Sequence, residues 1–437
     1  MECGSRVRVT LDRSSTGKGR RREVNVWERG LQVSPDELEK ECSRRDRKIS
    51  EQGGLVEEGR SETPQQTDLP TIYARNWKPP SGLEFAHPLQ SLRARGELLR
   101  FLAERHDGYL ELVAGCWDEE RAPASFEGDS YHEFCHDLLT RIGSVLSERI
   151  LEPLIAEIGE SEVIPRRSGE SHLSRRNMRF LLDIRICLRR IAYESSITLE
   201  QRKQWQRWMT RTRITDEHLK ELFTDGIPTP DGGRFGGKGF RSTWQEGIVA
   251  CASAMNRAVD SPQGDGGDSD IIAPMIRDMG LALAMGQTPL EVLSAQMGKS
   301  GSYMDGGNEG SGGRDLHIGN WEKGILPPTA PLPIASATTT GVALASHRLG
   351  LNRFHLAPVG EGCSSSGEFW EAMNLAGTRG LPICYMIQNN QIALDTFVVG
   401  QSGAETFGDK GHAMGIPSWT IDGSDPSQFY SSVCVAR

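Results

Sequence analysis

The chain has 437 residues, with 59 acidic and 50 basic side chains and a formal net charge of −9. This length allows two or three domains with separate cores, and the acidic balance gives no overall basic face for a nucleic acid or a membrane surface. No apolar run approaches the roughly 20 residues that span a bilayer, and the N-terminus has no apolar signal-peptide core. The nine cysteines are scattered and form no CxxC pair, which is typical of reduced thiols. We therefore expect a cytoplasmic protein without nucleic-acid or membrane partners.

Composition divides the chain into three regions. Residues 1–78 are rich in Arg, Glu, Ser and Gly, which predicts a disordered leader because too little apolar surface is available to offset the entropy of ordering. Residues 79–214 carry apolar residues at three- and four-residue steps, such as Leu98 and Leu102, which predicts a helical region of unknown role. We expect the third region, residues 215–437, to be a separate domain.

Strands and helices alternate in the last hundred residues. Short apolar runs predict strands at 354–359, 383–387 and 416–421, and helical patterns predict helices at 367–377 and 404–414. Further upstream, one helix is predicted for 276–297. This alternation is typical of a parallel sheet covered by helices. The predicted fold class is therefore α/β, with a doubly wound parallel sheet preceded by the helical region and the leader.

A Gly-Glu-Gly turn centred on Glu361 follows the first of these predicted strands. A helix is predicted to begin at Gly367, and the pair Asn389 and Asn390 follows the next predicted strand. Open α/β sheets bind ligands at the carboxyl ends of their strands, and a helix N-terminus attracts a diphosphate. Carboxylate and amide oxygens are the hard ligands that Mg²⁺ prefers. The sequence therefore predicts a diphosphate and Mg²⁺ site at two neighbouring strand ends.

This segment resembles the thiamine diphosphate motif, and its surroundings resemble the alpha subunits of the 2-oxo acid dehydrogenases. The Gly-Glu-Gly turn and Pro331-Leu332 are closer to the branched-chain type than to the pyruvate type. The resemblance covers less than half of the chain. The elements that carry it are 359–370, 381–382, 389–390, 276–291, 312–317, 331–332, 341–345 and 415–425. One departure is Ile276, which stands where the family has a tyrosine before Arg277.

The resemblance implies oxidative decarboxylation of a 2-oxo acid on thiamine diphosphate, with transfer of the acyl unit to a lipoyl arm. It also implies a role for each matching position. Mg²⁺ would be bound by Glu361, Asn390 and the carbonyl of Ile392. The diphosphate would be approached by Gly362 and Cys363 and balanced by Arg277, and the backbone of Leu332 would contact the aminopyrimidine ring.

Two partners follow from the same resemblance: a beta subunit within a heterotetramer and a lipoyl-bearing acyltransferase core. In this family the beta subunit supplies the carboxylate that activates the aminopyrimidine. The family's histidine-bearing loop would lie beyond Arg437, so no catalytic residue is assigned. We expect the chain to be truncated at its C-terminus and inactive without the beta subunit.

Two further histidines are candidate acid–base groups, because imidazole titrates near neutrality. His317 lies in a loop that matches the family and is a candidate for the pocket wall. His412 is expected on the surface of a helix.

Two alternatives stay open. His132, Glu133 and His136 match the HExxH pattern, in which two histidines bind zinc and the glutamate is a general base, so a zinc peptidase is one alternative. Glu152, Glu157 and Glu160 are its candidates for a third ligand. The position of this motif at a helix start and the charged Asp137 after it both disfavour that interpretation. The other alternative is a cofactor-free scaffold or interaction protein with a degenerate site.

Overall fold

The computed structural model describes residues 83–148, 169–260, 269–304, 316–329 and 331–437, together with the short antiparallel strands β1 (Arg8–Val9) and β2 (Val24–Asn25). The chain separates into two compact units, Met1–Asp68 and Leu69–Arg437. Most of the predicted leader lies outside the described residues. None of the described helices is long and apolar enough to cross a membrane.

The first part of the larger unit is mainly helical. Its elements are β3 (Leu89–Gln90), α1 (Ser91–Arg105), a 3-10 turn (Asp107–Tyr109), α2 (Leu110–Glu119), β4 (Ser125–Phe126), α3 (Gly128–Leu146), α4 (Gly169–Ser195) and α5 (Leu199–Asp225). Strands β3 and β4 pair antiparallel. Helices α1 to α4 share one core that includes Leu98, Leu102, Leu138 and Ile184, each 0% exposed. The helical periodicity of these residues is thus observed as packed helices.

Helix α5 runs through the boundary that the sequence analysis predicts at residue 215. Its residues Trp205, Trp208 and Leu219 pack into the core of the C-terminal part rather than into the core of α1 to α4. The domain boundaries themselves stay predictions.

The C-terminal part contains the remaining elements. They are β5 (Ile227–Pro228), β6 (Arg234–Phe235), β7 (Ile271–Ile272), α6 (Met279–Ala284), α7 (Pro289–Gln296), α8 (Ile334–Arg348), β8 (His355–Gly360), α9 (Gly367–Arg379), β9 (Ile383–Gln388), β10 (Ile392–Ala393), β11 (Thr396–Phe397), α10 (Gly408–Ala413) and α11 (Pro426–Ala436). Short 3-10 helices lie at Glu246–Ala254, Ala258–Asp260, Trp321–Lys323, Cys363–Ser365 and Val398–Gly400.

Strands β7, β8 and β9 form a parallel sheet in that order. Side chains of β9 alternate between two layers, as the pleat of a strand requires. Cys384 and Met386 contact the core that contains residues 248–252 and 279–285, whereas Tyr385 contacts buried residues of α8 and α9. Every residue of β8 is buried. The predicted α/β fold with a parallel sheet is therefore confirmed for the described residues.

Two predicted elements differ from the structure. The single helix predicted for 276–297 is wrong: α6 and α7 are separate, because Gly286 turns the chain at φ +114° and Thr288 caps α7 before Pro289. No strand is described at 416–421. There, Ile416 and Ile421 pack against cores but do not pair with a neighbouring strand, and an apolar extended segment becomes a strand only when its backbone pairs.

The other predicted elements of this region are close to those observed. Strands β8 and β9 and helix α9 lie within two residues of their predicted bounds. Helix α10 begins at Gly408 rather than at 404. The Thr406 amide, just before this helix, donates to Asp409 Oδ2 at 2.9 Å, a side-chain bond of the kind that caps a helix N-terminus.

Candidate functional site

Strands β8 and β9 end side by side. Their register pairs Gly360 with Gln388, and the Glu361 amide donates to the Gln388 carbonyl at 3.2 Å. The two segments that the sequence analysis selected, Glu361 with its glycines and Asn389 with Asn390, therefore leave the sheet at adjacent positions on the same edge. This is the edge at which open α/β sheets bind ligands.

Glu361 is buried at this edge. It is 2% exposed, and its Oε1 atom has no hydrogen-bond partner. Its main-chain carbonyl accepts hydrogen bonds from the Ser364 amide at 3.2 Å and from Ser364 Oγ at 2.6 Å. A buried acceptor without a partner costs about 1–3 kcal/mol. The hydrogen bonds to its carbonyl hold the main chain of Glu361 in place, and its Oε1 atom is available to a cation or to a hydrogen-bond donor.

Arg277 lies on the other side of the glycine turn. Its Nε and Nη2 atoms are buried without hydrogen-bond partners, while its carbonyl accepts from Ser242 Oγ at 2.6 Å. A Cβ atom added to Gly360 would lie 3.8 Å from Arg277 Nη2, so the guanidinium is beside the turn. A guanidinium with unused donors is suited to a phosphate or carboxylate.

Gly362 and Cys363 continue the turn. A Cβ atom on Gly362 would lie 2.5 Å from Ala393 Cβ, so only glycine fits under the segment that follows Asn390. Cys363 opens the 3-10 turn Cys363–Ser365 and is half-buried. Burial raises the pKa of its thiol, and the charge of Arg277 opposes that rise. The Cys363 thiol therefore lies in the same local environment as Arg277 and Glu361.

The three remaining predicted residues lie on an exposed rim. Asn390 is exposed, and its Oδ1 atom accepts from the Ile392 amide at 3.2 Å. Ile392 is 38% exposed and pairs with Phe397 in the β10–β11 hairpin. Leu332 is 48% exposed and lies two residues before α8. The structure thus divides the predicted site into a buried half around Glu361 and Arg277 and an exposed half.

Sequence reasoning missed a buried carboxyl group at the same edge. Asp278 is 0% exposed and accepts hydrogen bonds from the Met275 amide and from Gln388 Nε2, both at 2.8 Å. Burial raises the pKa of Asp278 to about 6, although these two hydrogen bonds and the charge of Arg277 lower it. Asp278 thereby ties the Arg277 loop to the end of β9.

A second missed residue is Lys410 of α10, which is 5% exposed. Its Nζ atom donates to Ser364 O at 3.1 Å, Ser364 Oγ at 2.9 Å and Ser365 Oγ at 3.3 Å, and it lies 5.0 Å from the centre of the Phe407 ring. Burial lowers the pKa of its ammonium group. Lys410 therefore holds the turn that follows Glu361. A lysine in a predicted surface helix carries no sequence signal for such a role.

The two histidines named from the sequence occupy different settings. His317 is 7% exposed and stacks on Phe240 with ring centres 6.0 Å apart. His412 is half-buried rather than on the helix surface, and burial lowers its pKa.

The HExxH segment lies in the first turns of α3, as the sequence predicts. His132 Nε2 is buried without a partner, whereas the exposed His136 is 3.3 Å from Asp137 Oδ1. Within the residues that the structure describes, no group of three or more His, Cys, Asp and Glu side chains is arranged to hold a metal ion. The described residues therefore supply no third ligand for zinc at this motif, and the candidates Glu152, Glu157 and Glu160 lie outside the described residues.

The described fold is an α/β domain with a glycine turn at the carboxyl edge of its parallel sheet. Comparison with known proteins shows which family this domain resembles. Residues 245–437 match the family model described as "Dehydrogenase E1 component". The resemblance to the alpha subunits of 2-oxo acid dehydrogenases is thereby confirmed for this segment, which begins near the end of the helical region.

Three curated relatives illustrate the match. The 2-oxoisovalerate dehydrogenase subunit alpha of Bacillus subtilis (strain 168) is 27% identical over 190 residues, which are 44% of this chain and 56% of that protein. The alpha subunit of acetoin:2,6-dichlorophenolindophenol oxidoreductase from Cupriavidus necator is 32% identical over 158 residues (36% and 46%). The pyruvate dehydrogenase E1 component subunit alpha of Rhizobium meliloti (strain 1021) is 30% identical over 158 residues (36% and 44%). The chain thus spans about half the length of the curated relatives it matches.

Proposed function

We propose that this chain is an alpha-type component of a 2-oxo acid dehydrogenase, an enzyme that decarboxylates a 2-oxo acid oxidatively on thiamine diphosphate. The observation that carries the proposal is a set of buried, unpartnered atoms, Glu361 Oε1 with Arg277 Nε and Nη2, beside a glycine turn at the carboxyl edge of a parallel sheet. We further propose that this sheet belongs to the doubly wound type, with helices in both connecting layers.

The donor set fits Mg²⁺ with a diphosphate. Glu361 offers a buried carboxyl oxygen without a partner, and the amide oxygen of Asn390 and the carbonyl of Ile392 would complete the oxygen ligands. Arg277 would bind the diphosphate together with the backbone of Gly362 and Cys363. The backbone of Leu332 would contact the aminopyrimidine ring. When bound, thiamine diphosphate supplies the electron sink that decarboxylation requires.

The protein's own contribution is position and burial. Asp278 and Gln388 join the Arg277 loop to the end of β9, and Lys410 fixes the Cys363–Ser365 turn through its bonds to Ser364. Because these contacts are buried, they hold the ligand groups in place before a cofactor arrives. Such preorganisation lowers the free energy lost on ordering the site.

The proposal includes a beta subunit that covers the β10–β11 hairpin and the segment after it. The exposed fractions are 95% for Leu394, 67% for Phe397 and 90% for Val399, and these residues lie four to nine positions after Asn390. Clustered exposed apolar side chains are typical of protein–protein contact surfaces. We propose that the assembled enzyme is a heterotetramer, that the beta subunit supplies the carboxylate that activates the aminopyrimidine, and that the acyl unit passes to a lipoyl-bearing acyltransferase core.

Substrate class and location are also proposals. A branched-chain 2-oxo acid is favoured by the Gly-Glu-Gly turn around Glu361 and by Pro331-Leu332. This chain is similar both to a relative named as a 2-oxoisovalerate dehydrogenase subunit and to one named as a pyruvate dehydrogenase subunit. We place the protein in the cytoplasm, and the free thiols of all described cysteines support that location.

Isothermal titration with thiamine diphosphate and Mg²⁺ tests the cofactor site. The full chain, Glu361→Ala and Glu368→Ala are compared with and without a beta-type chain. Glu368 is a matched control because it is an exposed acid in the first turn of α9, seven residues away. We expect saturable, Mg²⁺-dependent binding that is lost in Glu361→Ala and retained in Glu368→Ala. Absence of binding even with the beta-type chain would support the alternative of a scaffold with a degenerate site.

A further inference from the structure

A basic groove lies between helices α5 and α7. Its volume is about 660 Å³, and Lys203, Arg207, Arg211, Ile214 and Leu293 are among its lining residues. No acidic residue lines it within the part of the chain that the structure describes. The charged residues that line the groove are thus basic, although the chain as a whole has a net charge of −9. We call it the α5–α7 groove.

The cations of the groove form a regular row. Lys203, Arg207 and Arg211 are four residues apart, so they follow one side of α5 at intervals of roughly 6 Å. Lys203 contacts Glu200 at 2.8 Å. Within the described residues, the exposed guanidinium groups of Arg207 and Arg211 make no ion pair or side-chain hydrogen bond, although the charge of Arg207 contributes to the lowered pKa of Glu200. Two cations of the row are therefore available to an anionic partner.

The groove also has an apolar side. Ile214 is 54% exposed, and Pro289 and Leu293 of α7 line the opposite wall. Leu290, 75% exposed, lies on the same short helix. An occupant that paired only with the cations would leave this apolar surface in water. The groove therefore fits a ligand with an acidic side and an apolar side.

We propose that the α5–α7 groove docks an acidic amphipathic helix of a partner polypeptide. Acidic residues four apart on a helix repeat at the same interval of roughly 6 Å as Lys203, Arg207 and Arg211. Apolar residues at the intervening three- and four-residue positions would then cover Ile214 and Leu293. A small polyphosphate has its charges closer together than one helical turn and has no apolar side.

The groove shares no lining residue with the cofactor edge. Its cations and Ile214 belong to α5, which precedes the segment that matches the dehydrogenase family model, whereas Pro289 and Leu293 belong to α7, which lies within that segment. None of the cofactor-site residues lines it. The groove therefore exists only where the helical region and the family domain meet, and it offers a contact surface beyond the proposed enzyme function.

The test is fluorescence anisotropy of the full chain with a labelled synthetic helical peptide. The peptide has about 18 residues, so its helix is about 27 Å long. It carries Glu at every fourth position and Leu on the adjoining side of the helix. The variants are Arg207→Gln with Arg211→Gln, and Ile214→Ser. The matched control is Arg202→Gln with Lys220→Gln, which removes the same charge from exposed positions on another side of α5. Circular dichroism and thermal unfolding check that each variant folds.

Each exposed ion pair changes affinity roughly two- to fivefold, so we expect the double groove variant to bind about tenfold more weakly. The control pair should bind as the unchanged chain does, Ile214→Ser should also weaken binding, and added salt should reduce affinity. Equal binding by the groove variant and the control would overturn the proposal. Full competition by inorganic triphosphate without any effect of Ile214→Ser would also overturn it, because a small-anion site would then be present. Titration with thiamine diphosphate should be the same for the groove variants and the unchanged chain.

Discussion

Replacement of Glu361 by glutamine should have opposite effects on the free and the cofactor-bound protein. The carboxyl group is 2% exposed and its Oε1 atom has no hydrogen-bond partner. A buried acceptor without a partner costs about 1–3 kcal/mol, and more if the group is charged. An amide of the same shape is less costly to bury than a carboxylate. We therefore expect Glu361→Gln to raise the free energy of unfolding of the cofactor-free chain by about 1 kcal/mol.

The order of stability should reverse when thiamine diphosphate and Mg²⁺ are added. A ligand at 100 times its dissociation constant stabilises the folded state by about 2.7 kcal/mol. The unchanged chain should gain this amount. Glu361→Gln should gain almost nothing, because a neutral amide replaces the carboxyl group that we propose as a ligand of the metal.

Denaturant unfolding of both proteins, with and without cofactor and Mg²⁺, measures the four free energies. Glu368→Gln, at an exposed position of α9, is the control and should behave as the unchanged chain does. Two results would refute the reasoning. In the first, Glu361→Gln lowers the stability of the cofactor-free chain, which would mean that the carboxyl group is satisfied in the folded state. In the second, the variant retains the full cofactor-dependent gain, which would place the metal elsewhere.

Three further predictions concern the support of the site and the two cores. Lys410→Met should weaken thiamine diphosphate binding while Lys410→Arg largely restores it, because the bonds to the turn after Glu361 need a cationic donor; equal titration curves for both variants would contradict this. The pKa of Asp278 is raised to about 6 by burial, from an ordinary value of 3.8, so the folded state binds the proton more tightly than the unfolded state does. Stability from this group is therefore full below about pH 4 and is lost as pH rises through about 6. The denaturation midpoint of Asp278→Asn relative to the unchanged chain should accordingly rise between pH 4.5 and 7.5, and a constant difference would refute the assignment. Leu98→Ala and Leu281→Ala, both at positions that are 0% exposed, should each cost about 2–5 kcal/mol. Because they lie in different cores, we expect Leu281→Ala to impair cofactor titration more than Leu98→Ala; the reverse order would count against the separation of the cores.

The tertiary structure brings together groups that no sequence pattern links. Asp278 and Gln388 are 110 residues apart and share a hydrogen bond, and Lys410 bonds to Ser364 across 46 residues. Each of these groups is polar and would be assigned to a surface on its own, since charged residues are rarely fully buried. Their burial depends on how α6, α10 and the sheet pack, which local periodicity does not encode.

The sequence by itself determined β8, β9 and α9, and the edge at which the candidate site lies. Apolar runs predicted β8 and β9, and the glycines around Glu361 predicted the turn between β8 and α9, because side-chain period and backbone freedom are local properties. Only the tertiary structure decided which predicted residues are buried together. Glu361 and Arg277 are enclosed without partners, whereas Asn390 lies on the rim, since burial and the loss of water from a polar group depend on chain segments that meet only on folding.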